Sequence, residues 1–505
     1  MRRGLLGWSL FCALAAPATA LAQTHDEGGD AALQVPRLGL DIEEPSVRSA
    51  PPSTPFGTSP ASSKDSVFDF HGYVLLPLRM GLMRRENPPP GQDGTILHTP
   101  PLVPQDFRRF QYTAVLPTPW LQLNMTYGNS TLAGTVILAA TAATEAEAVY
   151  DPVRQLGVSD AFVTMDLSDK VGIPLQLRGG AMQHRYGAMG AFDAGRYATP
   201  LIARVNAIGE VATASFKAGQ TTFVVEEGIG GQLARAPTGF PSQGWNDFAD
   251  PNVGASYVAH IHAGASVAGR LQLSAHLLYA FSQDDQNVAG TLAKGHITIV
   301  GGDARLTWGR LGHLYAGAAH TGATNAGVVG GVVEVLNARG GPGLVSEYLG
   351  PNSGGNGSLT TFGVQYDLSV ARAMFGDRFR GKNPDLIVSL FGIGTKVASN
   401  DTTYDGILKL KAGGEVTYSA MSWLGASGRV DHVRLDNEFN RRSFTIYTAR
   451  VLFHTNWRSR DEFSLQYSHF VYGREVYVES GFPPADNPSL TPDRDAFSLT
   501  ATFWW

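Results

Sequence analysis

Asp495-Ala496-Phe497-Ser498-Leu499-Thr500-Ala501-Thr502-Phe503-Trp504-Trp505 decides how the rest of this sequence is read. Phe497, Leu499, Ala501, Phe503 and Trp505 fall on one side of an extended strand. Ser498, Thr500, Thr502 and Trp504 fall on the other. The period is two, with one apolar face and one mostly polar face. A soluble sheet shows the same alternation, but Phe-Trp-Trp in mid-strand leaves it without a polar tail. A transmembrane β-barrel uses such a strand fully: apolar side to lipid, polar side to a wet lumen, aromatic rings at the interface.

Working outward, the same alternation recurs from Val67 onward. Phe68, Phe70, Gly72, Val74, Leu76, Leu78 and Met80 share a face opposite Asp69, His71, Tyr73 and Arg79. Leu271, Leu273, Ala275, Leu277 and Tyr279 face away from Gln272, Ser274 and His276. Leu408, Leu410, Ala412, Val416 and Tyr418 oppose Lys409, Lys411, Glu415 and Thr417. Leu424, Ala426 and Val430 oppose Ser427, Arg429 and Asp431, and a one-residue slip is expected near His432. Tyr447, Ala449, Val451 and Phe453 oppose Arg450 and His454. Charges keep to one face, as they must if the other meets lipid. No long segment of helical period could cover so large a sheet, and a barrel needs no such layer.

Composition agrees with an all-β membrane protein. The chain has 505 residues, 16% of them charged, with 59 Gly, 25 Phe and a formal charge of −5. Its mean hydropathy of −0.07 excludes a bundle of apolar transmembrane helices but not a barrel, whose strands average two faces. A net negative chain gives no reason to expect a nucleic-acid partner. Residues 1–22 read as a signal peptide: Met1-Arg2-Arg3 is basic, Gly4 to Ala16 is apolar, and Ala20-Leu21-Ala22 is a small-x-small cleavage site. Sec-type export follows. The single cysteine, Cys12, lies inside that signal behind a bulky Phe11, so neither a lipoprotein anchor nor a disulfide is expected. Residues 23–66, rich in Pro and Ser, read as a disordered periplasmic segment, and residues 67–505 as the transmembrane β-barrel.

Strands of roughly ten residues with short turns at one end and long loops at the other give 16 or 18 strands, with 18 favoured. Gly128-Asn129, Ala268-Gly269-Arg270 and Gly309-Arg310 read as short turns. Segments 81–117, 183–204, 227–254, 323–357 and 473–494 read as long extracellular ones. A barrel of this width leaves an aqueous channel unless something plugs it. The expectation is therefore an outer-membrane channel for passive diffusion of small hydrophilic solutes. A plugged barrel serving as adhesin, scaffold or export component is the alternative.

Segment 183–204 follows an early strand and carries His184, Arg185, Tyr186, Asp193, Arg196 and Tyr197, groups that hydrogen-bond polar solutes and stack on rings. With the inward Arg178, Lys409, Lys411, Glu415, Arg429, Asp431 and Arg450 they form the candidate pore lining and constriction. The alternative for 183–204 is a plain external loop, and for the charged pairs, salt bridges that hold the wall. His260 and His262 share a face but would need a third ligand from another strand to hold a metal, and none is expected. No nucleophile elbow, His-Glu-x-x-His or phosphate loop occurs, so neither enzyme activity nor a cofactor is expected.

Phe68-Asp69-Phe70-His71-Gly72-Tyr73 resembles the opening strand of the maltoporin (sugar-specific porin) family, and Phe503-Trp504-Trp505 is similar to its ending. Met182 to Arg204 occupies the place of that family's constriction loop. The resemblance implies an 18-stranded barrel, a homotrimer and diffusion of carbohydrates. The aromatic last strand also resembles the signal read by the barrel-assembly machinery of Gram-negative bacteria, which makes that machinery an expected partner beside outer-membrane lipid.

Overall fold

The computed structural model describes residues 66–81, 119–143, 153–188, 200–233, 255–284, 293–329, 332–336, 342–350, 353–376, 384–402, 404–434, 443–454, 460–472 and 494–504. The signal peptide, the Pro/Ser-rich segment up to residue 65, and Asp193, Arg196, Tyr197 and Trp505 lie outside them.

The described chain is almost entirely strand: β1 Val67–Gly81, β2 Pro119–Gly128, β3 Leu132–Ala143, β4 Val153–Asp166, β5 Leu175–Ala188, β6 Pro200–Ala218 and β7 Thr221–Leu233. There follow β8 Ala255–Val267, β9 Leu271–Asp284, β10 Ala293–Thr307, β11 His313–Thr324, β12 Val333–Leu336, β13 Pro342–Leu344 and β14 Gly357–Ser369. Last come β15 Asp385–Ser399, β16 Leu408–Met421, β17 Leu424–Arg434, β18 Ser443–Phe453, β19 Arg460–Tyr472 and β20 Arg494–Trp504. The helices are short: α1 Ser168–Val171, α2 Ala326–Val329, α3 Val345–Leu349 and α4 Val370–Phe375. None is long and apolar enough to cross a membrane.

All twenty strands belong to one sheet, and every pairing is antiparallel between chain neighbours except three. β11 skips to β14, β12 reaches back to β6, and β1 pairs with β20. Setting aside the short β12–β13 hairpin, eighteen strands each hydrogen-bond to two neighbours, so the wall returns on itself. The seam runs from Tyr73↔Trp504 to Gly81↔Ala496, joining the two segments whose alternation opened the argument.

Exposure is inverted relative to a soluble protein. On β9, Leu277, Tyr279 and Phe281 are exposed while His276 is buried. On β16, Val416 and Tyr418 are exposed, whereas Lys411 has 0% exposure and Glu415 and Thr417 are buried. Apolar side chains stand on the outer face and polar ones on the inner face, which is stable only when lipid solvates the outside. Exposed aromatic residues gather at both ends of the strands. Tyr127, Phe216, Trp308, Trp423 and Phe453 stand near the short-turn end, and Tyr257, Tyr279, Phe281, Tyr447 and Tyr467 nearer the long-loop end. Rings with an apolar body and a polar edge settle at the membrane–water boundary.

The expected short turns are present. At Gly128 (φ +155°) a Cβ would lie 2.2 Å from the Leu132 carbonyl, and the Asn129 Oδ1 accepts from the amides of Thr131 and Leu132 at 2.9 Å. Three expectations need correction. Segment 183–204 is strand at both its ends, since β5 runs to Ala188 and β6 begins at Pro200; likewise β7 continues to Leu233. The slip near His432 does not occur: β17 keeps its register on both sides through Arg434, and the irregularity lies at Ser419/Met421. His432 breaks the alternation because it stands exposed where the outer face becomes polar, its ring Nδ1 2.9 Å from the Thr445 hydroxyl.

The third correction concerns residues 323–357, expected as an external turn. They form an insert, α2–β12–β13–α3, that lies inside the barrel. Val332, Val333, Val335, Val345, Tyr348 and Leu349 are all buried and pack on the inward Val258, Leu278, Ile297, Ile299, Phe391 and Ile393 of the wall. The loop-end half of the lumen thus holds an apolar core instead of a purely polar lining. Its base is stapled where Asn325 and Asn356 bond each other through side chain and backbone (3.1 Å each). The Ser256 hydroxyl donates to the Val329 carbonyl at 2.8 Å.

Candidate lumen constriction

Two structures narrow the lumen, and they meet. β6 continues past the end of its pairing with β7, which stops at Ile208↔Gly231. Its free edge is taken instead by β12, through Val205↔Val333 and Arg204↔Glu334. The Arg204 guanidinium also donates to the Glu334 carboxylate. Tyr186, Ile202, Ala203 and Val205, near the tip of the β5–β6 hairpin, join the same buried cluster as the insert. The described ends of β5 and β6 therefore lean inward from the wall. The Tyr186 ring lies 4.8 Å from that of His260 on β8 and 5.5 Å from that of His276 on β9.

Behind this contact lies a polar network on β5–β10. Arg178 Nη2 donates to His184 Nδ1 at 2.6 Å, and His184 Nε2 faces Glu226 Oε1 at 2.8 Å. The Tyr186 hydroxyl is 2.7 Å from His260 Nε2. His262 and His276, directly paired across β8 and β9, stack with centroids 4.4 Å apart, and His276 Nε2 is 2.9 Å from Asp303 Oδ1. Among the described residues no set of three or more His, Cys, Asp or Glu has metal-binding geometry. His260 and His262 are engaged with Tyr186 and His276 respectively.

A second network stands on β16–β19. Arg429 forms a fork onto Asp431, Nε to Oδ2 at 2.6 Å and Nη2 to Oδ1 at 2.7 Å, while its Nη1 is 3.6 Å from Glu415. Arg450 approaches the same Glu415 at 3.7 Å and donates to Gln466 Oε1 at 3.2 Å. Bidentate, charge-assisted bonds of this kind hold side chains in one geometry. Lys409 Nζ lies 4.6 Å from the centroid of Tyr348, so the insert is held from this side too.

Of the candidate residues, the structure brings Arg178, His184 and Tyr186 into the first network and Glu415, Arg429, Asp431 and Arg450 into the second. Lys409 meets the insert, and Lys411 is fully buried. Arg185 lies in β5, in register with Arg204. Sequence reasoning did not single out Glu226, His276 or Glu334. The insert had one signal, the valine-rich run Val328-Val329-Gly330-Gly331-Val332-Val333-Glu334-Val335 inside a Gly-rich segment, which is too apolar for an exposed loop.

Cross-strand register also assembles a polar row that no single strand displays. His313, Asp367, Ser389, Glu415, Arg429, Thr448 and Ser468 are successive partners on β11 and β14 to β19, and all are buried on the lumen face. His313 and Asp367 lie by the short turns, whereas Ser468 lies well up its strand. The row therefore climbs around the wall, as strand tilt in a barrel requires.

No protein-family model matches the chain, and no curated protein matches it. The likeness of its two ends to the sugar-specific porins stays a resemblance. Among solved structures the chain is similar to the outer membrane channel DcaP of Acinetobacter baumannii, with 11% identity over 88% of this chain and 99% of that one and a TM-score of 0.37. OccD3 (OpdP) of Pseudomonas aeruginosa shares 8% identity over 91% and 98%, with a TM-score of 0.39. The outer membrane protein OpdK of the same organism shares 11% over 86% and 99%, with a TM-score of 0.39. The returning antiparallel wall, its outward apolar band and its aromatic girdles make this chain a transmembrane β-barrel.

Proposed function

We propose that the barrel is a porin, a passive channel for small hydrophilic solutes, constricted by the β5–β6 tip and the insert. The observation that carries this reading is the climbing polar row: charged and hydroxyl groups kept on the inner face of seven wall strands. Buried polar side chains in such number are costly in a sealed interior and natural beside water. His184, Arg185 and Tyr186, with Asp193, Arg196 and Tyr197 of the sequence between β5 and β6, are the constriction residues of this reading. Lys409, Lys411, Glu415, Arg429, Asp431, Arg450 and Arg178 belong to the wall beside it. The solutes are polar and water-borne, with carbohydrates one class to test and inorganic ions another. Membrane lipid, the assembly machinery acting on β20, and two further copies of the chain in a homotrimer are the partners. No cofactor and no catalytic step enter.

Purified protein in planar bilayers tests the reading by stepwise ion current, and its absence would overturn an open pore. The apolar core in the loop-end half favours one competing reading, a plugged barrel with an adhesive or scaffolding role. Deleting residues 326–349 separates the two. A constricted channel conducts before and more strongly after the deletion, whereas a plugged barrel conducts only after it.

A further inference from the structure

Three inward side chains near the short-turn end hold buried hydrogen-bonding atoms. The Tyr315 hydroxyl, Gln365 Oε1 and Asp367 Oδ1 lack a close hydrogen-bond partner among the described residues, although the three residues are only 5%, 1% and 4% exposed, and the Ser389 hydroxyl, register partner of Asp367 on β15, is a donor beside the carboxylate. Tyr315 and Gln365 are direct cross-strand partners on β11 and β14, and Asp367 is the next inward position on β14. Gln365 uses its amide Nε2 to donate to Asp367 Oδ2 at 2.7 Å, which fixes the carboxamide with its carbonyl oxygen turned away. The set left over is a carbonyl oxygen, a carboxylate oxygen and a hydroxyl. Two of the three can only accept, and the third can.

Neighbouring cations do not fill this need. Arg305, paired in register with Tyr315, places its guanidinium 5.4 Å from the Tyr315 ring centroid, against the ring face. His313, opposite Asp367, has its Nδ1 3.1 Å from the Thr307 hydroxyl. A buried acceptor left unmatched carries a full desolvation penalty, larger for a carboxylate. The complement is a donor-only group bearing positive charge. A primary ammonium has three N–H donors and no acceptor, the chemistry that neighbouring acceptors call for.

We infer that Tyr315, Gln365 and Asp367 form a subsite for primary ammonium groups at the turn-end foot of the polar row, through which amine-bearing solutes pass. The inference rests on the channel reading and names a solute class for it. Neutral polyols, which bring as many acceptors as donors, and carboxylates, which Asp367 repels, are the poorer fits.

The test uses the full chain in planar bilayers. Current in potassium chloride is recorded first, so that failure of the channel reading shows before any solute is added. 1,4-Diaminobutane, sucrose and glutarate are then titrated from the turn-end side. Saturable reduction of current by the diamine, at concentrations about tenfold below any effect of the other two, is expected for a charged hydrogen-bonded contact. Asp367→Asn should raise the half-blocking concentration about tenfold and Tyr315→Phe a few-fold, with heat-modifiable gel mobility kept as the sign of an intact barrel. A conducting channel blocked equally by sucrose, or a diamine block unchanged in Asp367→Asn, overturns the subsite. If the wild type passes no current, calorimetric titration of the detergent-solubilised protein with the diamine decides it. Binding lost in Asp367→Asn sustains the subsite, and no binding overturns it.

Discussion

Arg204 and Glu334 are joined twice, as register partners in the backbone pairing of β6 with β12 and as an ion pair between their side chains. One residue belongs to the wall hairpin and the other to the insert. The pair is therefore the point at which the two narrowing structures become one.

Glu334→Ala should leave the barrel folded, with its heat-modifiable gel mobility retained, and loosen the insert by about 1.5–3 kcal/mol, the range for a hydrogen bond between charged groups. Single-channel recordings should show larger and noisier open current. The exchange Arg204→Glu with Glu334→Arg should bring the record back towards wild type.

Arg429 is the most consequential charge in the wall, because it satisfies Asp431 with two bonds and faces Glu415. Arg429→Ala strands the buried Asp431 carboxylate, leaves Glu415 to Arg450 alone, and should cost about 3–5 kcal/mol in denaturant unfolding of the detergent-solubilised protein. Removing Arg429 and Asp431 together should cost less than removing Arg429 alone, a sign of coupling that independent sites would not give.

Depth in the membrane can be read from the outer face. Val416, exposed midway along β16, should tolerate arginine poorly, at about 2–4 kcal/mol, whereas Tyr257, near the loop end of β8, should lose only about 0–1 kcal/mol on the same change. Equal penalties at both positions would contradict the outward apolar band.

The seam can be fixed covalently. Val74 and Phe503 are register partners of β1 and β20, and directly opposed strand residues lie within the Cα spacing a disulfide spans. Cysteines at 74 and 503 should cross-link under mild oxidation and block heat unfolding on gels. Cysteines at 74 and 501, one step off along the same face, should cross-link far less.

Much of the wall was legible because each strand carries its own two-face code. Leu277 against His276, or Val416 against Glu415, needs no neighbour to be read. Even the seam followed, since the first and last strands show complementary faces. What could not be read depends on register between strands. Asp367, Ser389, Glu415 and Arg429 sit on four strands with long intervals between them, and only pairing sets them side by side. The insert was hidden for a related reason. Its direction is set by a two-residue ladder between β12 and β6, and Glu334 lies 130 positions from Arg204. Tyr315 was overlooked, and Gln365 and Asp367 could be read only as facing away from Phe362, Val364 and Tyr366, because a buried acceptor without a donor has no signature in sequence.

The β12–β6 ladder also bears on assembly. It closes a loop far shorter than the one closed by the β1–β20 seam, which unites opposite ends of the described chain. Closing the longer loop is entropically dearer, though only slowly so with length. The insert can thus dock on β6 while the wall is still an open sheet, where its valines have a free approach to Ile297 and Ile299. Once β20 has zipped onto β1, those surfaces are reached only through the mouth. The order of events is thereby set, with the interior furnished first and the wall sealed last. A chain sealed too early would keep its valine run outside, as a sticky flap for proteases and chaperones to find.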